Sequence, residues 1–200
     1  AIALAERMKL LEFEDRNPHL HGKLGAILLS KFPPFQDFAP LVKFHHVPWR
    51  DGEGKTFKEQ VVPMGSHLIH LADRIAVLVN RSKPVFDQVP DVREKINALS
   101  GATFVPEMVA AFLETSRKEV FWLDLVHQDM VKVLRHKSRL PSVNLNIDDL
   151  IELSRFYALI IDTRSRFTAT HSSGVAATAE KLAQLAGFSE LHSKKVLIAG

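Results

Sequence analysis

Residues 44–54 read Phe-His-His-Val-Pro-Trp-Arg-Asp-Gly-Glu-Gly, so two adjacent histidines precede a turn that holds both glycine and acidic residues. Residues 71–75, in a segment of helical pattern, read Leu-Ala-Asp-Arg-Ile. Imidazole and carboxylate groups are common ligands of iron, manganese and zinc. Two imidazoles and the Asp73 carboxylate, on segments that could face each other, therefore suggest a metal site.

The segments on either side of this stretch carry helical patterns, with apolar residues at intervals of three and four. Residues 47–63 have no such period and are predicted to form a loop, and a loop of this length is often functional. No convincing alternating strand pattern is found, so the sequence predicts an all-α fold. The predicted helices are 2–15, 19–31, 36–46, 65–82, 90–100, 106–113, 148–161, 168–186 and 190–199, and residues 119–125 are predicted to form a short buried segment.

The composition narrows the classes of function. The net charge is only +3, and no basic stripe with interleaved aromatic residues indicates binding to nucleic acid. No apolar run reaches about 18 residues, so no membrane segment is predicted. The chain has no cysteine, which excludes thiolate ligands and fits a reducing, cytoplasmic compartment. Its 10 histidines indicate metal or acid–base chemistry.

The histidine pair by itself has two interpretations. Adjacent residues of a helix point about 100° apart, so two neighbouring imidazoles rarely share a metal ion in mid-helix. At a helix end the second imidazole can turn inward, and a site with two ions can use one histidine for each. Alternatively, His45 and His46 form an exposed helix terminus, where a protonated imidazole favours the helix dipole.

Asp73 lies inside the predicted helix 65–82, beside residues expected to be buried. A carboxylate there needs a partner, which is either a structural ion pair with Arg74 or His70, or a metal ion. His70 precedes Asp73 by three residues and is a secondary ligand candidate. The apolar stripe predicted for this helix consists of Leu68, Leu71, Ala72, Ile75 and Val79.

Two other histidines stand near small residues. His21 begins the sequence His-Gly-Lys-Leu-Gly-Ala, in which Gly25 permits close helix packing or the approach of a ligand. His171 precedes a stripe of small residues near the end of the chain. For each of the two, taken alone, an exposed helix position is the favoured interpretation.

Taken together, these pieces resemble the C-terminal half of an HD-GYP domain, over about residues 19–115. The order that carries the resemblance is His21-x-x-x-Gly25-Ala26, His45-His46 with Trp49 and Asp51-Gly-x-Gly54, Val62-Pro63, and Leu71-Ala-Asp73-Arg-Ile75. HD-GYP domains are a helical subgroup of the HD metal-dependent phosphohydrolases and hydrolyse the bacterial second messenger cyclic di-GMP at a centre of two or three metal ions.

The resemblance implies a helical bundle of the HD-domain type and a set of site residues. Metal ligands are expected at His21, His45, His46 and Asp73. Such ligands, without sulfur, suit iron or manganese, and less distinctively zinc. Lys55 and Arg74 are the candidates for binding substrate, although Lys55 is equally well explained as an exposed loop residue and Arg74 as the ion-pair partner of Asp73.

A second resemblance begins at residue 165. Residues 165–176 and 187–189 resemble the start of another HD-GYP domain, in which His171 falls on a metal-ligand position. The chain stops at residues 197–200 within an apolar helical run, which predicts truncated modules. The predicted organisation is 1–134 as the C-terminal part of one module, 135–164 as a connecting helical segment, and 165–200 as the start of a second module.

The chain also departs from the HD-GYP pattern. No histidine is followed directly by an aspartate, so the dyad that names the superfamily is absent from this chain. Val47 replaces the usual glutamate after the double histidine, and Lys55-Thr56 replace the usual Tyr-Pro. We therefore expect a degenerate first module, an altered substrate loop and no appreciable cyclic di-GMP hydrolysis by this chain alone.

Three functions remain as alternatives. The first is part of a bacterial signalling phosphodiesterase that acts on cyclic di-GMP. The second is a non-catalytic, HD-like scaffold with a regulatory, sensing or dimerising role, for which the expected assembly is a homodimer. The third is a nucleotide phosphohydrolase that shares the metal site but selects a monomeric nucleotide phosphate.

Overall fold

The structure is a computed structural model that describes residues 18–138, 144–162 and 171–200. The predicted helix 2–15 and the residues 165–170 that open the second resemblance lie outside the described residues. The chain divides into two compact units. Within the described residues, the first unit comprises 18–26 and 37–138, and the second comprises 27–36, 144–162 and 171–200. The predicted three-part organisation stays a prediction.

Helix is the main secondary structure of the described residues, which confirms the predicted all-α fold. A short antiparallel hairpin pairs Thr56 with Val61 and Phe57 with Gln60. The elements are α1 (Pro18–Leu29), α2 (Ala39–Lys43), β1 (Thr56–Phe57), β2 (Gln60–Val61), α3 (Met64–Leu78), α4 (Val89–Ala98), α5 (Pro106–Thr115), α6 (Glu119–Val126), α7 (Met130–Lys137), α8 (Ile147–Asp162), α9 (His171–Leu185) and α10 (Glu190–Ala199), with 3-10 turns at Pro33–Phe38, Arg50–Lys55 and Phe86–Gln88.

Local sequence explains several helix ends. Pro106 occupies the first turn of α5, where its missing N–H costs no helix hydrogen bond. The side chains of Asp129 and Ser189 accept a hydrogen bond from a backbone N–H in the first turn of α7 and α10, respectively. Gly187 has a positive φ of 79° just after α9, in agreement with its predicted role as a terminator.

Helices α3 to α6 build the main core of the first unit. Trp122 is 1% exposed, and its Nε1 donates a hydrogen bond to the carbonyl oxygen of Ser116 at 2.8 Å. Burying the polar edge of this ring therefore leaves no unpaired donor. The fully buried apolar residues of this core are Leu71, Ile75, Val79, Val85, Val92, Ile96, Phe104, Val109, Phe112 and Trp122.

In the second unit, α9 and α10 pack against each other and both contact α8. The buried ring of Phe156 in α8 lies 6.0 Å from the ring of Phe32 and 5.6 Å from that of Phe35. Among the described residues, no helix combines the length and the apolar composition that a membrane crossing requires.

Three details of the predicted secondary structure are wrong. The segment 36–46 is not one helix, because it divides into a 3-10 turn and the short helix α2. The loop 47–63 contains the hairpin β1–β2, although no strand was predicted. Helix α7 was not predicted.

The buried faces of two helices also differ from the prediction. On α3, Leu68 and Ala72 are exposed, and His67 and His70 occupy the buried face instead. On α1, small residues form the buried side, which includes Gly22 and Ala26. The apolar residues Leu20, Leu24 and Ile27 of α1 are exposed.

Replacing Ile96 with alanine should destabilise the first unit. The side chain is 0% exposed, so its truncation leaves a cavity in a packed core, at a cost of about 2–5 kcal/mol. Urea unfolding followed by circular dichroism measures the loss. The matched control is Leu99→Ala, at the end of the same helix and 42% exposed, which should cost less than about 0.5 kcal/mol. Equal losses in the two variants would contradict the assigned core.

Candidate metal centre

Helix α1 lies close to α2 because of two glycines. A Cβ on Gly22 would lie 3.0 Å from the carbonyl oxygen of Val42 and 3.1 Å from that of Lys43. A Cβ on Gly25 would lie 2.9 Å from Cγ1 of Val42, so Gly25 serves helix packing, one of the two roles considered for it. Since glycine has no side chain, α1 can approach this closely, and the approach carries His21 to the double histidine.

Three of the predicted metal ligands meet at their Nε2 atoms. The Nε2 of His21 lies 3.0 Å from that of His45 and 2.9 Å from that of His46. The ligand atoms of all three side chains lie within 4.8 Å of one another. The two adjacent imidazoles can reach one point because they follow α2, which ends at Lys43, and do not lie within a regular helix.

The orientation of His45 is fixed by the backbone. Its Nδ1 donates a hydrogen bond to the carbonyl oxygen of Val42 at 2.5 Å. A carbonyl oxygen only accepts, so Nδ1 of His45 carries a proton and Nε2 is the ring nitrogen left to bind a ligand. The side chain is therefore held in the tautomer that can bind a metal ion through Nε2. The Val42 carbonyl would be the outer-shell partner that orients it.

The spacing of the three nitrogens fits a divalent metal ion. Metal–nitrogen bonds of about 2.1 Å place two ligands about 3.0 Å apart at a right angle and about 3.4 Å apart at a tetrahedral angle. The two short distances between Nε2 atoms, 2.9 and 3.0 Å, agree with the right angle of six-coordinate ions. Without an ion, the Nε2 of His21 would have to form hydrogen bonds with the Nε2 atoms of both His45 and His46, which would compete for the same proton.

His46 is neutral at physiological pH. Burial, followed by the neighbouring imidazoles of His45, His21 and His70, lowers the pKa of His46 to about 3, although the carboxylate of Asp73 acts in the opposite direction. Metal binding requires unprotonated imidazole, so the lowered pKa of His46 favours binding of an ion over binding of a proton at this residue.

Asp73 itself does not belong to the three-histidine cluster. Its Oδ2 accepts hydrogen bonds from Nε of Arg74 at 2.9 Å and from Nη2 at 2.6 Å. The two side chains are 35% and 31% exposed, respectively. The structure thus contains the ion pair that was considered as the structural alternative, and the ligand role of Asp73 and the substrate role of Arg74 stay predictions.

His70 lies beside the cluster on the buried face of α3. It is 7% exposed, and its ring centroid lies 5.5 Å from that of His46 and 5.4 Å from that of Phe104. Burial, and then the positive charge of Arg74, lowers the pKa of His70 to about 4. From the sequence, His70 is only a secondary ligand candidate, because the spacing of residues along α3 does not reveal that it is buried.

The Asp-Gly-Glu-Gly loop is attached to the turn before α5. Three consecutive backbone N–H groups, from Trp49 to Asp51, donate to carbonyl oxygens of residues 101–103 at 2.9 to 3.0 Å. Arg50 and Asp51 have positive φ angles of 49° and 52°, which are unfavourable for residues with side chains. A Cβ on Gly54 would lie 2.0 Å from the carbonyl oxygen of Pro48, so only glycine fits there.

His67 lies beneath this loop and was assigned no role from the sequence. It is 2% exposed and packs edge to face against Trp49, with ring centroids 5.3 Å apart. Burial lowers the pKa of His67, and the nearby backbone of Gly54 and Val47 opposes this shift. Neither ring nitrogen makes a hydrogen bond of regular geometry with the described residues.

The two remaining candidates lie apart from the three-histidine cluster. His171 is exposed at the start of α9 in the second unit, on a helix face with Gly174 and Val175, and its ligand role stays a prediction. Lys55 is exposed in the loop, and its Nζ lies 5.4 Å from the ring centroid of Trp49. This cation–π contact keeps the ammonium group near the loop.

No family model matches the chain. It is 27% identical to the 3'3'-cGAMP-specific phosphodiesterase 1 of Vibrio cholerae over 208 residues, which cover 96% of this chain and 46% of that protein. It is 30% identical to the cyclic di-GMP phosphodiesterase of Thermotoga maritima over 111 residues, which cover 54% of this chain and 30% of that protein.

A solved structure shares the fold. The crystal structure of the cyclic GMP-AMP specific phosphodiesterase V-cGAP3 of V. cholerae matches with a TM-score of 0.66 and 19% sequence identity, over 90% of this chain and 44% of that one. The chain thus spans less than half the length of each relative it matches. Both curated relatives are named as phosphodiesterases of cyclic dinucleotides, and the solved structure shows the fold in such an enzyme.

Replacing Gly22 with alanine should weaken metal binding. The new Cβ would press on two backbone carbonyls and lie 3.5 Å from Cε1 of His45, so α1 must shift and take His21 with it. We expect the affinity for Mn²⁺, measured by isothermal titration calorimetry, to fall by about 10- to 100-fold. Gly174→Ala is the control, because its Cβ would meet nothing within 4 Å. Unchanged affinity in the Gly22 variant would contradict the role of this contact.

The stability of the protein should fall in mild acid. Because burial lowers the pKa of His67 below its ordinary 6.5, the unfolded chain takes up a proton at a pH where the folded chain does not. The free energy of unfolding therefore decreases as the pH falls from 6.5 towards the lowered pKa. His67→Gln should reduce this dependence in urea unfolding at neutral pH and at about pH 5. The exposed His127→Gln should leave it unchanged, and an unaltered dependence in the His67 variant would refute the assignment.

Proposed function

We propose that the chain is part of an HD-GYP-type, metal-dependent phosphohydrolase that acts on a cyclic dinucleotide, and that His21, His45 and His46 contribute to its metal centre. The observation that carries the proposal is the convergence of three Nε2 atoms from two elements that are distant in sequence. The similarity to phosphodiesterases of cyclic GMP-AMP and cyclic di-GMP supports the substrate class.

The residues of this chain would hold and orient the metal ion. His21, His45 and His46 would supply ring nitrogens, and the Val42 carbonyl keeps the proton of His45 on Nδ1. When bound, a divalent ion lowers the pKa of a water molecule and polarises a phosphoryl oxygen. Lys55 is an exposed cation that could offset the negative charge of a phosphate group from the loop.

The donor set supports iron or manganese before zinc. Three imidazoles, with the nearby carboxylate of Asp73 and no sulfur, suit several divalent ions. Ligands without sulfur suit iron or manganese, and less distinctively zinc. The two curated relatives are named for different cyclic dinucleotides, so the proposal covers this class of substrate and not one member of it.

A regulatory scaffold with an HD-type fold is the second candidate. Two observations favour it: no histidine in the chain is followed by an aspartate, and the Asp73 carboxylate is neutralised by Arg74. In that case the three histidines would be inherited from a metal centre without supporting hydrolysis. The two candidates differ in whether the chain holds a metal ion.

Metal analysis of the purified chain tests the proposal. We expect bound iron or manganese by mass spectrometry, and its loss in His21→Ala and His45→Ala, because each variant removes a nitrogen from the cluster. The exposed His127→Ala keeps its metal and serves as the control. A wild-type chain that binds no metal under reducing conditions would refute the metal centre and favour the scaffold.

The same samples, supplied with Mn²⁺ or Fe²⁺, are assayed against cyclic di-GMP and 3'3'-cGAMP. Because the His-Asp dyad is absent, we expect metal binding without appreciable turnover by this chain alone. Measurable hydrolysis that His45→Ala abolishes would contradict the expected degeneracy, although it would strengthen the proposed substrate class.

A further inference from the structure

We propose that the exposed side of helix α9 binds a second copy of this chain, with the two α9 helices antiparallel about a twofold axis at Thr178. The inference goes beyond the proposed function and does not depend on the metal centre, because α9 belongs to the second unit. The sequence predicts a homodimer only as part of the scaffold alternative and assigns it no surface.

Helix α9 has two different sides. It packs on α8 and α10, and its residue Ala183 is buried. On the other side, Val175, Leu182 and Leu185 are 41%, 61% and 73% exposed, respectively. An open groove of about 600 Å³ runs along this exposed side. Because large apolar side chains gathered on one surface mark interaction sites, this side of α9 is a candidate interface.

Gly174 lies on the exposed side and is not required by the packing of the described residues. It belongs to the interior of α9, and a Cβ added to it would meet nothing within 4 Å. Glycine in a helix interior costs about 1 kcal/mol relative to alanine. The residue thus leaves a gap on the exposed side at a cost in stability, and a contact made by another molecule would explain it.

The exposed side is complementary to a copy of itself in the antiparallel direction. Around a twofold axis at Thr178, positions equally far before and after this residue face each other. Gly174 lies four residues before Thr178 and Leu182 four residues after it, so each Leu182 would enter the gap over Gly174 of the partner subunit. His171 and Leu185, seven residues before and after, would form the second pair. Large residues opposite small ones allow two helices to interdigitate.

The axis residue can be buried without losing a hydrogen bond. The hydroxyl of Thr178 donates to the carbonyl oxygen of Gly174 in its own helix at 2.8 Å. An unpaired hydroxyl in an interface would be costly, and this one is already paired. The methyl group of Thr178 is therefore what each helix would present at the axis.

Charge favours the antiparallel direction over the parallel one. The charged residue that borders the exposed side is Lys181, and the antiparallel register sets it opposite Val175 of the partner subunit. In a parallel pair Lys181 would face its own copy, and the gap at Gly174 would face another gap. The antiparallel pair also brings the positive end of each helix dipole beside the negative end of the other.

The size of the surface predicts a weak dimer. A helix of 15 residues is about 22 Å long and about 10 Å wide with its side chains. One side of it covers a few hundred square ångströms, which is less than the roughly 800 Å² per partner of a standard interface. Exposed Phe188 and Leu191, just after α9, add apolar area at its end. We therefore expect a dissociation constant in the micromolar range or above.

Sedimentation equilibrium of the full chain, at about 10 µM to 1 mM, tests the proposal. The mass should rise from that of the 22.5 kDa monomer towards twice this value. Leu182→Glu places a charge in the apolar contact and should raise the dissociation constant at least about tenfold. Gln184→Glu is the matched control, because Gln184 is exposed on the same helix but lies outside the apolar side.

Cross-linking tests the register, since the chain has no cysteine of its own. In Thr178→Cys the two thiols would meet at the axis, within the Cα distance of about 4.4–6.8 Å that a disulfide needs. Mild oxidation should therefore give a covalent dimer. Gln184→Cys, equally accessible but directed away from the partner, should give little.

Two results would overturn the proposal. One is a chain that stays monomeric at every concentration, and the other is a dimer that Leu182→Glu does not weaken, since it would use another surface. If circular dichroism shows that Leu182→Glu is unfolded, the cysteine variants decide. Cross-linking of Thr178→Cys no faster than that of Gln184→Cys would then refute the antiparallel α9 interface, and faster cross-linking would support it.

Discussion

The close contact between α1 and the backbone that precedes the double histidine is the constraint on which the candidate site depends. A Cβ on Gly22 would lie 3.0 and 3.1 Å from the carbonyl oxygens of Val42 and Lys43, so a larger residue there would push the two backbone segments apart. The same Val42 carbonyl accepts the hydrogen bond that fixes the tautomer of His45. One short stretch of backbone therefore sets both the position of α1 and the direction of an imidazole lone pair.

Helix α3 connects this site to the core. Its apolar side chains Leu71, Ile75 and Val79 belong to the main core, whereas His67 and His70 extend the same buried face towards the loop and the histidine cluster. Burying imidazoles without hydrogen-bond partners costs stability. On α3, His67 and His70 bear this cost where the helix meets the loop and the proposed metal centre, which is the pattern expected of functional residues in a core helix.

The fold and the candidate metal site both indicate the phosphodiesterase class, but the chain covers only part of each relative. The fold is shared with a phosphodiesterase of cyclic GMP-AMP, and the three Nε2 atoms have the spacing of ligands to one ion. The chain nevertheless spans less than half of its relatives and lacks the His-Asp dyad. The proposed function, a metal-binding part of a phosphodiesterase, is compatible with these observations.

Much of the fold could be predicted, because helix periodicity and helix-ending residues act over a few neighbours. The helix that begins at Pro106 and the terminator Gly187 are examples. The predictions failed at positions where packing between segments distant in the chain decides which side chains are buried. Leu68 is exposed because His70 lies on the buried face of α3. The apolar side of α1 is exposed because Gly22 lies on the side of α1 that packs against α2. No local sequence pattern reveals either contact.

The sequence by itself determined the helical class and the order of the candidate ligands, since both follow from residue types and their spacing. Only the tertiary structure decided that His21 meets both histidines at one point, that Asp73 is held by Arg74, and that His70 is buried beside them. The physical reason is that the side-chain directions of separate elements are set by how closely their backbones can approach, which depends on contacts far apart in the chain.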